Sequence, residues 1–164
     1  MVAARSEEAR SRARPTVRVV VRPPSDNVFV SLHYEVVFAC FLRDGTPEPV
    51  LDALRWHIGA RADRPWHLDA DEHPYPLLAP DPDTYLAGGD FASLRHQSRG
   101  NWNAWGLFTR NFWLDDGIGE LVTILDLLAP HVEDSGYGGF MREEDDSKPS
   151  IFTFRDGAYD LQTD

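Results

Sequence analysis

Histidine and aspartate alternate from His67 to His73, a spacing that could hold a metal ion. In an extended chain, His67, Asp69, Asp71 and His73 would all point to one side. Imidazole and carboxylate groups are ordinary ligands of zinc and other divalent ions. Four same-face positions of a strand nevertheless span ~20 Å, whereas the ligands of one ion must converge. We therefore predict a hydrated acidic loop without a tightly bound metal, and we expect no cofactor.

A second group of residues could carry out acid–base catalysis. His33 and Glu35 lie two positions apart beside an apolar run, so a strand would place them on one face. A neighbouring carboxylate raises the basicity of an imidazole, which suits a general base. Arg110 belongs to a later predicted strand and would join this catalytic candidate if it faces the same way. The alternative is that the three residues mark a solvated or salt-bridged rim.

The segment from Arg99 to Trp105 has the most unusual composition in the chain. Tryptophan and arginine contribute much of the binding energy of protein interfaces, and asparagine supplies adaptable hydrogen bonds. We predict that this segment is a loop that binds a partner or ligand. The alternative is that its two indoles close the end of the core. The candidate binding residues are Arg99, Asn101, Trp102, Asn103 and Trp105.

Strands and helices predicted from the apolar pattern must position these residues. An alternating run predicts a central strand from about Tyr34 to Leu42, and helical spacing predicts helices over 47–58 and 117–129. Shorter runs predict further strands at 16–21, 91–97, 107–114, 138–144, 151–154 and 158–161. Five prolines in residues 60–90 predict a long irregular insertion. We expect Trp66, Tyr75, Leu77 and Leu78 to anchor it.

Two strand–turn–helix segments resemble each other at a constant offset of 72 residues, from Phe41 to Val50 and from Trp113 to Val122. We therefore predict an α+β, ferredoxin-like fold, in which a duplicated β-α-β unit forms an antiparallel sheet with two helices on one face. Chance is the alternative, because an Asp-Gly turn before a helix is common. One domain would span 16–164, after a disordered arginine-rich tail at 1–15.

The charge of the chain narrows the classes of partner. The 164 residues carry a net charge of −11, while residues 1–24 contain six arginines against two glutamates, so the remainder carries −15. A body this acidic is not expected to bind nucleic acid, which requires clustered basic residues. No apolar run is long enough for a membrane helix, and the single cysteine, Cys40, favours a reducing compartment. We expect a cytoplasmic protein, and the preference for arginine over lysine is typical of GC-rich bacteria.

Phosphate-binding loops, serine nucleophile elbows and paired-cysteine motifs are absent from the sequence. The first hypothesis is therefore a non-catalytic binding or accessory protein that acts through a protein partner or as a homodimer. A second hypothesis is an enzyme that binds a small molecule on the sheet face and uses His33 and Glu35 as its acid–base pair. A third is an acidic inhibitor that mimics nucleic acid.

Overall fold

The computed structural model describes residues 32–114 and 118–162. The predicted strand at 16–21, the arginine-rich tail and the second Asp-Gly turn lie outside the described residues. Among the residues described, six strands form one sheet, and two short helices accompany them. The elements are β1 (His33–Arg43), α1 (Glu48–His57), β2 (Phe91–Arg99), β3 (Trp102–Leu114), α2 (Ile118–Leu128), a 3-10 turn (Ala129–His131), β4 (Gly136–Glu143), β5 (Ser150–Arg155) and β6 (Ala158–Gln162).

The sheet has the strand order β2-β3-β1-β4-β5-β6, and every neighbouring pair is antiparallel. The prediction of a ferredoxin-like fold made of a duplicated β-α-β unit with two helices on one face is wrong for this chain. The hairpin of β5 and β6, both predicted as strands, continues the same sheet past β4, so the sheet is larger than one built from a duplicated β-α-β unit alone. The two halves are also unequal, since residues 58–90 separate α1 from β2, whereas only the 3-10 turn and a short connection separate α2 from β4.

The sheet has an inner face, which carries the hydrophobic core, and an outer face. Val36 and Phe38 of β1 point to the inner face and are fully buried. Leu54 of α1 and Ile124 of α2 belong to the same buried cluster. The alternate residues of β1, among them Glu35 and Phe41, point to the outer face because side chains alternate along a strand.

The irregular segment 60–90 packs against the end of β3 that extends past β2. Trp113 Nε1 donates a hydrogen bond to the Leu77 carbonyl oxygen at 3.1 Å, and Asn111 Nδ2 donates to that of Leu78 at 3.2 Å. Leu77 and Leu78 are buried, so they anchor the segment as predicted. Trp66 is 95% exposed, and its prediction as an anchor is wrong.

Neither helix among the described residues has the length and apolar character needed to cross a bilayer.

Candidate binding groove on the outer sheet face

Three phenylalanines surround a groove on the outer face where β1, β2 and β3 lie side by side. The side chains of Phe41, Phe91 and Phe108 are 38%, 49% and 45% exposed. The groove has a volume of about 460 Å³. We call it the phenylalanine groove, and its outer-face lining consists of Ala39, Phe41, Phe91, Ser93, Arg95, Gln97, Gly106 and Phe108.

Strand register creates this groove by placing small residues beside large ones. Phe41 lies opposite Gly106, and Phe108 lies between Ala39 of β1 and Ser93 of β2. A Cβ atom on Gly106 would come within 2.7 Å of Gln97 Nε2 and 3.1 Å of the Phe41 ring. Glycine at this position therefore lets the Gln97 amide and the Phe41 ring approach the backbone, and it forms part of the groove floor.

The polar side of the groove belongs to β2, and its charge is basic. Ser93, Arg95 and Gln97 line that side, whereas Phe91 continues the apolar wall. The sequence of β2 contains Arg95, His96 and Arg99 and no acidic residue. This strand thus differs in sign from the chain as a whole, which carries −11.

A charge cluster on the same face holds two of the three predicted catalytic residues. Arg110 Nε donates to one oxygen of the Glu35 carboxylate at 2.7 Å, and Arg142 donates to the other at 2.6 Å. Burial raises the pKa of Glu35, but the hydrogen bonds and charges of the two arginines outweigh it and lower that pKa overall. Arg110 also donates to the carbonyl oxygens of Ala87 and Gly89, which ties the end of the irregular segment to the sheet.

His33 is not part of this cluster. Its ring stacks on Phe112, with 4.9 Å between the ring centroids, and its Nδ1 lies 3.6 Å from a carboxylate oxygen of Glu144. The structure therefore brings Glu35 and Arg110 together and gives His33 different partners. A carboxylate held between two guanidiniums stays ionised and is a weak proton acceptor.

The segment from Arg99 to Trp105 is a β-hairpin, whereas the sequence predicted a loop. Gly100 has φ +62°, so it and Asn101 form the turn between β2 and β3. Trp102 packs edge-on against Phe41 at the groove, with 4.9 Å between the ring centroids. Trp105 packs against the hydrophobic core, with Arg55 and His96 beside its ring. Side chains alternate along β3, so Trp102 points to the outer face, whereas Asn103 and Trp105 point to the inner face. The predicted binding residues are therefore divided between two faces.

The predicted metal-ligand candidates also have separate partners. His67 Nε2 lies 2.9 Å from the Pro49 carbonyl oxygen, and an Asp69 oxygen accepts a hydrogen bond from the Asp71 backbone N–H. His73 is buried against His57. Within the described residues, no three histidine, cysteine, aspartate or glutamate side chains are grouped so as to hold a metal ion.

Reasoning from the sequence missed the three phenylalanines of the groove. Phe41 could have been identified from the sequence, because both faces of β1 carry apolar residues. A strand of this kind is expected to contact apolar groups on its outer face as well. Phe91 and Phe108 could not be assigned to the groove from the sequence, because strand register places Phe108 beside Ala39 of β1 and brings the Phe91 ring of β2 next to Phe108. Comparison of the chain with protein-family models, with curated proteins and with solved structures finds no match.

Proposed function

We propose that this chain is a non-catalytic bacterial binding protein that docks a protein partner on the outer face of its sheet, at the phenylalanine groove. The observation that carries the proposal is the cluster of three half-exposed phenylalanines around one groove. Clustered exposed apolar surface of this kind marks interaction sites. A cytoplasmic location agrees with the single cysteine in the chain.

The chemistry of the groove suits docking better than catalysis. Burying an aromatic or aliphatic side chain against phenylalanine rings contributes roughly 1.5–3 kcal/mol, and a few such contacts dominate an interface. Cys40, beside the groove on β1, packs against the core on the inner face, and burial raises the pKa of its thiol to about 12, so this thiol is protonated and a poor nucleophile at neutral pH.

The second candidate function is a small-molecule enzyme, since a volume of about 460 Å³ falls in the range of ligand sites. We rank it below the binding protein because the Glu35 carboxylate is engaged by two arginines and His33 contacts other groups. An enzyme at this site would need different acid–base residues from those that the sequence suggested.

Site-specific photocrosslinking tests the proposal. Benzoylphenylalanine replaces Phe108 in one version of the full chain and Thr153, on the outer side of the distant β5–β6 hairpin, in a matched control. After irradiation in cells, we expect discrete protein adducts from position 108 and none of the same mass from position 153. Circular dichroism checks that both versions fold. Identical adducts from both positions, or no adducts from position 108, would contradict a docking role for the groove.

A further inference from the structure

We infer that the partner is an extended, acidic polypeptide segment that joins the sheet as an additional strand along the outer edge of β2. This inference rests on the proposed function, because the groove that would receive one apolar side chain of the segment is the same groove. It names the kind of partner and the way in which that partner is bound.

The edge of β2 is suited to strand addition. All nine residues from Phe91 to Arg99 pair with β3 in continuous register, without a bulge. In the part of the chain that the structure describes, no strand pairs with the opposite edge of β2. Alternate N–H and C=O groups along this edge therefore face away from the sheet, and proteins commonly use such edges to bind extended peptides through backbone hydrogen bonds.

The phenylalanine groove adjoins that edge. Neighbouring strands lie ~4.8 Å apart, so a side chain on an added strand would lie beside the outer-face residues of β2. One of these is Ser93, which is small and lies directly opposite Phe108. An apolar side chain of the partner can therefore pass over Ser93 and contact Phe91 and Phe108 at the same time.

The charge of β2 selects an acidic segment. Arg95 and Arg99 are exposed, and within residues 32–114 and 118–162 neither of them forms an ion pair. Opposite charges on neighbouring strands stabilise pairing, whereas like charges destabilise it. A second copy would bring an equally basic β2 against this one and would join two bodies that each carry −11. An acidic peptide avoids the first penalty, because its carboxylates lie beside guanidiniums of opposite charge on β2.

Exposed aromatic rings with arginines on a sheet can also bind single-stranded nucleic acid. Two observations favour a polypeptide instead. The backbone edge of β2 offers a ladder of donors and acceptors that matches another strand. In addition, Arg110 and Arg142 are already engaged by Glu35, which leaves fewer guanidiniums for phosphate groups.

The test uses the full chain and a short fluorescein-labelled peptide in which threonine occupies every second position. The positions between carry phenylalanine and valine followed by two glutamates, so the apolar and acidic side chains share one face, as Ser93, Arg95 and Arg99 do on β2. Fluorescence anisotropy compares this peptide with a version in which lysine replaces glutamate, and with one N-methylated at alternate amides. We expect saturable binding of the acidic peptide and a loss of about tenfold or more in affinity for each of the other two. An Arg95→Glu variant should reverse the preference between acidic and basic peptides. Arg155→Glu, at the far end of the sheet, is the matched control and should leave it unchanged.

Other outcomes overturn the inference. Equal affinity for the N-methylated peptide would exclude strand addition, and saturable binding of oligothymidylate in place of the peptides would assign the face to nucleic acid. If neither probe binds while position 108 still forms protein adducts, the groove docks a partner of another kind and only this inference fails. If position 108 also forms no adducts, the proposed function fails with it.

Discussion

His57 and His73 share a buried hydrogen bond, with 3.0 Å between His57 Nε2 and His73 Nδ1. The backbone N–H of Leu77 donates to His57 Nδ1 at 3.2 Å, so that nitrogen carries no proton. His57 Nε2 must then donate to His73 Nδ1, and both rings are neutral with one defined tautomer each. The pair connects α1 to the irregular segment, and an added proton on either accepting nitrogen would break one of these bonds.

The first prediction concerns stability as a function of pH. Burial and repulsion from His73 lower the pKa of His57 to about 3, and burial lowers the pKa of His73 as well. The unfolded chain, in which histidine has its ordinary value of 6.5, therefore binds protons that the folded chain does not. The contribution of the pair is complete above pH 6.5. As the pH decreases towards 3, the free energy of unfolding should fall by about 1.4 kcal/mol per pH unit on account of His57, and the lowered pKa of His73 adds a loss of the same sign.

Urea unfolding of wild type and His57→Gln at several pH values between 6.5 and 4.5 measures this slope. In the variant, the free energy of unfolding should fall less steeply with decreasing pH, because about one fewer proton is taken up on unfolding. His67→Gln is the matched control, because His67 is an exposed histidine of the same irregular segment and lies outside the buried pair. Parallel curves for wild type and His57→Gln would show that the pair does not control acid stability.

The second prediction concerns Glu35 as the anion that holds Arg110 and Arg142. Glu35→Gln removes the charge from a side chain that is only 9% exposed and leaves two guanidiniums without it. Because both arginines remain partly exposed, we expect a loss of about 1–2 kcal/mol at neutral pH. The pKa of Glu35 is lowered on folding, so wild type should lose this advantage as the pH falls into the range where the carboxylate is protonated.

Glu48→Gln provides the comparison, because Glu48 also bonds an arginine but its side chain is 66% exposed. We expect that variant to remain within about 0.5 kcal/mol of wild type in denaturant titrations. Losses of similar size for the two variants would mean that the buried ion pairs of Glu35 stabilise the fold no more than the exposed ion pair of Glu48 does.

The third prediction concerns Gly139, where β4 passes closest to its neighbours. Its φ is +145°, and a Cβ atom would overlap the Val37 carbonyl oxygen and the Phe152 ring. Gly139→Ala must therefore shift backbone, and we expect a loss above about 3 kcal/mol or failure to fold. Gly45→Ala meets nothing within 4 Å and should stay within about 1 kcal/mol of wild type. Similar melting temperatures for the two variants would contradict this account of β4.

Local pattern predicted the central elements of this fold well. The strand expected from about Tyr34 to Leu42 is His33–Arg43, and the helix expected over 47–58 is Glu48–His57. In both segments the apolar residues recur at regular spacing, and turn residues mark the ends. The β3 strand was predicted only from residue 107, because the alternation from Trp102 to Trp105 combines indoles with asparagines and does not look amphipathic.

The contacts of the site could not be predicted in the same way, because they depend on pairing between distant parts of the chain. In the pairing of β1 with β3, Val37 lies opposite Arg110. Glu35 is two residues before Val37 on the same face of β1, so its carboxylate is within reach of the Arg110 guanidinium. The segment from His67 to His73 was predicted as a hydrated acidic loop, and nothing in its spacing indicated that His73 is buried against His57. Neither contact follows from spacing within a single segment.

The last prediction separates the two indoles of the hairpin. Trp105 packs against the core beside Arg55 and His96, whereas Trp102 contacts Phe41 on the outer face. Trp105→Ala should therefore lower the free energy of unfolding by about 2–4 kcal/mol, and Trp102→Ala by about 1 kcal/mol or less. Trp102→Ala should also reduce the yield of crosslinks from position 108, because it removes the ring that supports Phe41. Equal losses of stability with an unchanged crosslink yield would place both indoles in the core and remove the Arg99–Trp105 hairpin from the contact surface.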